Sequence, residues 1–258
     1  AIDPASLDVE QTQARKNSLR GFVLGGAELQ GEAKKRFAQI QERLAELQQK
    51  FSENALDATD AFAHYASADE VAGIPQDVLQ TAQAAAAADG KSGYKLTLQI
   101  PCYLPVMQFA QNRALRERMY RAYVTRASDQ AEGDARQYDN SAIMQEILAL
   151  RQEEAGLLGY ANFGEVSLVP KMAESTRQVL DFLHELAAKA RPWGERDVAD
   201  LRQFAADSLE LDDPQAWDWT FVGERLKEQR FGFTEQDVKP YFPAPRVLAG
   251  LFKIAETL

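Results

Sequence analysis

The chain has 258 residues, of which 45% are hydrophobic and 26% are charged, a composition typical of a folded globular protein with one large or two modest domains. Its net charge of -10 opposes nucleic-acid binding, because that binding depends on lysine and arginine side chains that neutralise phosphates. No run of about 18 apolar residues and no signal-peptide pattern is present, so we predict no membrane partner and a cytoplasmic location. The single cysteine, Cys102, fits a reducing compartment, and we interpret it as a partly buried thiol rather than a nucleophile.

The first predicted elements are two helices. A short helix covers about 9–19 and ends in turns at Gly21 and at Gly25 and Gly26. Within 31–60, apolar residues recur at spacings of three and four, which predicts an amphipathic helix over about 32–54. Its apolar stripe contains Phe37, Ile40, Leu44, Leu47 and Phe51. Such a helix is roughly 35 Å long, so we interpret it as the spine of a domain, with a dimer seam as the alternative.

Two short strands with a helix between them are predicted next. Residues 60–66 and 94–100 are expected to pair as a small antiparallel sheet. In the second strand Tyr94, Leu96, Leu98 and Ile100 face one way. The helix between the strands begins near Pro75 and ends at Gly90. Prolines 101 and 105 are expected to end the second strand, because proline cannot donate to a central ladder.

Helices dominate the remainder of the chain. Six helices are predicted: 113–127, 141–158, 175–191, 194–208, 217–230 and a last helix from about 246. Asn112 caps the first of these. Ser141 caps the second, which Gly159 ends, and Pro192 ends the third. A polar loop covers 129–139, and Thr234 with Asp237 has the form of a capping box. The fold class is therefore mainly α, with a helical lobe and its small sheet in 1–128 and a further helical segment in 129–258. The last helix reaches Leu258 without a cap, which suggests truncation.

The dipeptide His184-Glu185 is the one short sequence that resembles part of a catalytic motif. A zinc peptidase of the H-E-x-x-H type needs a second histidine one helical turn later, but that position holds Ala188. His184 also lies about 130° from the apolar face of its helix, so we predict a surface histidine. The only other histidine is His64, so a histidine-based site requires the two to meet in space, and a mixed site with carboxylates stays open.

Other motifs are absent or ambiguous. Gly21, Gly25 and Gly26 do not form a dinucleotide-binding G-x-G-x-x-G pattern, and no serine lies in a G-x-S-x-G elbow. No acid and base pair can be singled out from the carboxylates. The aromatic residues are interpreted as core and interdomain packing rather than a ligand cage: Tyr103, Phe109, Tyr120, Tyr123, Trp193, Trp217 and Trp219. The residues alone thus predict a helical protein with no complete active site.

Four long blocks resemble one family, the thimet-oligopeptidase-like zinc metallopeptidases. They are RFAQIQERLAELQQKFSENALDAT (36–59), YKLTLQIPCYLPVMQFAQNRALRERMYRAYVTRASD (94–129), NSAIMQEILALRQEEAGLLGYANFGEVSLVPKMAE (140–174) and VKPYFPAPRVLAGLF (238–252). The resemblance implies a mostly helical protein whose two lobes enclose a channel for short peptides. It also implies one zinc ion, held by H-E-x-x-H and a further glutamate, that activates water to cleave internal peptide bonds.

This sequence departs from the family pattern at the catalytic residues. The zinc-binding portion of the family follows the stretch that YFPAPRVLAGLF resembles, and the block containing 184–188 is not the family's zinc site. No catalytic or metal-binding residue is therefore transferred to this chain, and its substrate-binding residues are unknown. Zinc and short peptides are expected as cofactor and partners of a full-length protein only. We expect an inactive scaffold fragment that can self-associate through exposed apolar surface, and the alternative is a non-enzymatic helical interaction module.

Overall fold

The computed structural model describes residues 7–258, and these are mainly α-helical with a two-stranded antiparallel sheet, as predicted. In chain order the elements are α1 (Val9–Leu24), α2 (Gly31–Asp60), β1 (His64–Ala66), α3 (Gln76–Ala88), β2 (Tyr94–Leu96), α4 (Ile100–Phe109), α5 (Arg113–Val124), α6 (Ser141–Leu157), α7 (Phe163–Leu168), α8 (Thr176–Leu209), α9 (Trp219–Phe231), α10 (Glu235–Val238) and α11 (Ala244–Thr257). Short 3₁₀ helices cover Gly133–Tyr138 and Lys239–Tyr241. Within the described range, none of the helices is long and apolar enough to cross a bilayer.

The contacts divide the chain into two units. One contains the residues up to Asp57 together with Ala127–Pro192, and the other contains Ala58–Arg126 and Trp193–Leu258. The organisation into 1–128 and 129–258 stays a prediction.

The first unit is built on the predicted spine helix α2. Ile40, Leu44 and Leu47 are buried against Ile147 of α6, which confirms the apolar stripe. Two charge-assisted pairs also join α2 to α6, Arg36 to Glu153 at 2.6 Å and Arg43 to Glu146 at 2.7 Å. The helix continues six residues past the predicted end at 54.

Phe51, the last member of the predicted stripe, is 37% exposed, so this part of the prediction is wrong. At this level of α2 the contacts are polar instead of apolar. Asn54 donates from Nδ2 to Oδ1 of Asn140 at 2.9 Å, and Asn140 donates from Nδ2 to the carbonyl of Phe51 at 3.0 Å. These two bonds satisfy amides that are almost completely buried.

Helix α1 runs through Gly21 to Leu24, so the predicted end at residue 19 was too early. A lone glycine lowers helix stability by about 1 kcal/mol but keeps its backbone hydrogen bonds. Here the carbonyl of Gly21 accepts from the N–H of Gly25 at 2.9 Å. The chain then turns at Gly26, where φ is +77°.

The second unit contains the sheet and the larger core. The predicted antiparallel pairing is confirmed, with Tyr65 opposite Lys95 at the centre of the ladder. Both strands are shorter than predicted, with three residues each. Ile100, predicted at the end of the second strand, is 52% exposed and begins helix α4. Pro101 lies in the first turn of α4, where its fixed φ suits a helix and its missing N–H costs nothing. A buried cluster surrounds the sheet and includes Leu96, Leu98, Val106, Leu115 and Met119.

The predicted break at Pro192 is wrong, since α8 is continuous from Thr176 to Leu209 with the proline inside it. Proline removes one backbone hydrogen bond, but the residues before and after it favour a helix, so the helix continues past it.

Other helix ends differ from the predicted ends by a few residues. Asn112 caps α5 as predicted, its Oδ1 accepting from the N–H of Leu115 at 3.0 Å, and Gly159 has a φ of +83° just after α6.

Candidate functional site

The second unit contains two neighbouring cavities that form the candidate site. The smaller has a volume of about 480 Å³ and lies against α3, β2 and α4. Its wall is mixed, with the methyl groups of Val78 and Ala82, the amides of Gln99 and Gln108, and the thiol of Cys102. This volume is within the usual range for small-molecule sites.

The larger cavity has a volume of about 750 Å³ and lies between Gly73 at the start of α3 and Arg225 and Glu228 on α9. Four residues line both cavities: Asp77, Phe109, Gln236 and Lys239. The two spaces are therefore adjacent and share a wall.

Ion pairs control the charge at the rim of both cavities. Lys239 pairs with Asp77, and this hydrogen bond lowers the pKa of the Asp77 carboxyl below its usual value. Lys95 pairs with Asp89 at 2.7 Å, and its hydrogen bond, with a second one from Tyr65, lowers the pKa of that carboxyl. Each of these cations is balanced by a carboxylate, which favours ligands with no large net charge.

A buried charge network lies between α5 and the start of α9. The Asp218 carboxylate is fully buried and receives Nη2 of Arg113 at 2.8 Å and Nη2 of Arg116 at 2.7 Å. Arg116 is itself only 3% exposed and also donates from Nη1 to the carbonyl of Ala110 at 2.7 Å. Burial tends to raise the pKa of Asp218, but the hydrogen bonds from Arg113 and Arg116 outweigh it and lower that pKa. Since the carboxylate stays charged and fully bonded, it joins α5 to α9 and is not available as a base.

Sequence reasoning missed this network, because Arg113 and Arg116 lie 105 and 102 residues before Asp218 along the chain. Two signals could have indicated it. Arg113 and Arg116 are three residues apart, so they share one side of α5. Asp218 lies between Trp217 and Trp219, an apolar setting in which a carboxylate needs a cationic partner.

In the part of the chain that the structure describes, neither histidine belongs to a group that could hold a metal ion. A guanidinium can only donate hydrogen bonds, so Nδ1 of His64 accepts from Arg118 at 3.1 Å. The ring proton is therefore on Nε2, which donates to Glu70 at 3.2 Å. Both ring nitrogens are thus engaged, and the arginine repels a cation. His184 is exposed, as predicted, and the carboxylate of Glu185 pairs with Lys189.

The described residues therefore do not fit the zinc that the family resemblance implies. Across residues 7–258, no group of three His, Cys, Asp or Glu side chains is placed to hold a metal ion. The thiol of Cys102 is partly buried, as predicted, and accepts from the N–H of Thr97 at 3.3 Å. The volumes of the two cavities are in the range that holds a small ligand.

The aromatic residues mostly pack in the second unit. Tyr103 and Tyr123 stack with ring centroids 4.0 Å apart, and Tyr120 and Trp217 meet at 6.3 Å beside the buried cluster. Trp193 differs from the prediction, being 62% exposed on α8. These rings form packing contacts and do not converge on a ligand cage.

Comparison with known proteins agrees with the resemblance in the sequence. The profile of peptidase family M3 matches residues 106–258. Oligopeptidase A of Salmonella typhimurium is 45% identical over 255 residues, which is 98% of this chain and 37% of that protein. Oligopeptidase A of Escherichia coli matches to the same extent, and the organellar oligopeptidase A of Arabidopsis thaliana is 39% identical over 99% of this chain and 33% of its own length. The chain thus spans well under half the length of these relatives, yet nearly all of it aligns with them, and it belongs to peptidase family M3.

Proposed function

We propose that this chain is a scaffold portion of a zinc-dependent oligopeptidase that cleaves internal bonds of short peptides. In this proposal it supplies lobe and channel-wall structure, and it is inactive alone. The observation that carries the proposal is the alignment itself, since 98% of the chain matches 37% of oligopeptidase A and contains no H-E-x-x-H sequence. The zinc ligands and the glutamate that activates water would then come from residues outside these 258.

The ion pairs and cavities of the chain are consistent with a scaffold role. The Asp218 carboxylate is engaged by Arg113 and Arg116, and the smaller cavity is lined by groups that can bind a ligand, such as the amides of Gln99 and Gln108. Substrate would be held by such walls, whereas the chemistry requires a metal-bound water that this chain cannot position. A cytoplasmic location belongs to the same proposal.

The test compares the 258-residue chain with the full product of the reading frame that encodes it. Each is assayed for bound zinc by elemental analysis and for cleavage of an internally quenched peptide, with and without a chelator. We expect bound zinc and chelator-sensitive cleavage only in a product that contains H-E-x-x-H. Zinc-dependent cleavage by the 258-residue chain alone would refute the proposal.

The reading frame also tests the alternative of a non-enzymatic interaction module. A stop codon directly after Leu258 would favour that module. The observation in its support is a set of exposed apolar side chains on α8, among them Phe182, Leu183 and Leu186, which are 63%, 49% and 52% exposed.

A further inference from the structure

A short segment, residues 234–241, which we call the strap, contributes lining residues to both cavities of the second unit. Two of the four residues that line both cavities, Gln236 and Lys239, belong to the strap. The other two, Asp77 and Phe109, lie opposite on α3 and α4. The strap is therefore part of the wall that divides one space from the other.

The strap is ordered within itself. The N–H of Thr234 donates to Oδ2 of Asp237 at 2.8 Å, and the N–H of Asp237 donates to Oγ1 of Thr234 at 3.3 Å. This reciprocal pair is the predicted capping box, and it starts the single turn of α10. Residues 234–237 are therefore held together by their own hydrogen bonds.

The contact between the strap and α3 is polar and solvated. Lys239 pairs with Asp77 while the two side chains are 60% and 49% exposed. The apolar residues of the strap and its exit do not fill the core, since Val238, Tyr241 and Phe242 are 36%, 75% and 66% exposed. An ion pair this exposed is weak and is screened by salt.

We propose that the strap opens when Lys239 leaves Asp77, and that opening joins the two cavities into one groove extending from Gly73 to Cys102. The closed strap then limits access of small solutes to the inner part of this groove. This inference concerns the second unit alone and does not depend on the proposed peptidase function.

Cys102 provides the readout, because it lines the inner cavity and is the single cysteine of the chain. The experiment measures the rate at which a small neutral thiol reagent, iodoacetamide, modifies Cys102 in the 258-residue chain. Lys239→Met keeps the length of the side chain and removes its charge. We expect this variant to react faster by about two- to five-fold, the factor that one exposed ion pair controls. A faster reaction therefore reports easier access to the inner cavity.

Three controls make the result specific. Lys239→Arg keeps the ion pair and should react at the wild-type rate. Lys189→Met breaks a comparable exposed pair with Glu185 on α8 and should leave the rate unchanged. In the unaltered chain, added salt should raise the rate toward that of Lys239→Met, which tests the proposal even if that variant folds poorly. Equal rates for Lys239→Met and wild type, or no effect of salt on the wild type, would overturn the proposal.

Discussion

At the scale of single residues, Asp218 is a fully buried carboxylate that joins α5 to the start of α9. It accepts from two arginines and, at 2.9 Å, from the N–H of Gln215, so one carboxylate serves three donors. Arg116 has no access to water that would replace this partner. A buried pair adds little net stability over an apolar one, but removal of one partner leaves an uncompensated charge.

We expect Asp218→Ala to lower the free energy of unfolding by about 3–5 kcal/mol, measured by urea denaturation. The matched control is Asp200→Ala, which removes a carboxylate paired with Arg230 at 2.9 Å where both side chains are 53% exposed. That change should cost no more than about 1 kcal/mol. Equal losses in the two variants would show that burial of Arg116 does not decide the outcome.

Acid pH gives an independent check on the same residue. The folded-state pKa of Asp218 is lowered, so its contribution to stability is present above its unfolded pKa of about 3.9 and is lost as the pH falls through the folded value. The difference in stability between wild type and Asp218→Ala should therefore shrink as the pH is lowered below about 4. A constant difference down to the acid limit would count against the charge argument.

At the scale of elements, the sequence predicted helices well and their ends less well. Periodic apolar residues identified α2. The cap at Asn112 located the start of α5, and Gly90 located the end of α3. The errors at Pro101 and Pro192 have a common cause, because proline is a strand breaker, a helix starter or a tolerated helix residue according to its packing. The Asp218 network was also not predicted, since its two arginines are 105 and 102 residues away from Asp218 along the chain.

The loop before α3 closely approaches the end of α4 at one glycine, Gly73. Gly73 has a φ of +90°, and a Cβ placed there would lie 2.4 Å from the carbonyl oxygen of Phe109. We expect Gly73→Ala to lower the free energy of unfolding by more than about 2 kcal/mol, because backbone strain and a clash with main chain add together. Gly90→Ala is the control, since φ there is +67° but nothing lies within 4 Å of the added atom. That variant should lose only about 1–2 kcal/mol in thermal or urea unfolding, and a loss as large as that of Gly73→Ala would remove the role assigned to the clash.

At the scale of the whole molecule, exposed apolar surface is concentrated on two helices. On α8 it includes Leu180 and Phe182, and on α11 it includes the residues that the sequence places at helical spacing, Val247, Leu251 and Ile254. The last three are 48%, 58% and 60% exposed. Contiguous apolar surface of this kind favours association, because burying it removes it from water.

We therefore expect the 258-residue chain to self-associate as its concentration rises, partly through α11. Multi-angle light scattering should give a weight-average mass above the 28.7 kDa of one chain, increasing with concentration. Leu251→Glu places a charge in the middle of the apolar face and should return the mass toward 28.7 kDa. Ala249→Glu adds the same charge to the same helix, about 170° around its axis from that face, and should leave association unchanged. A strict monomer at every concentration, or equal effects of the two substitutions, would show that the face of α11 does not drive association.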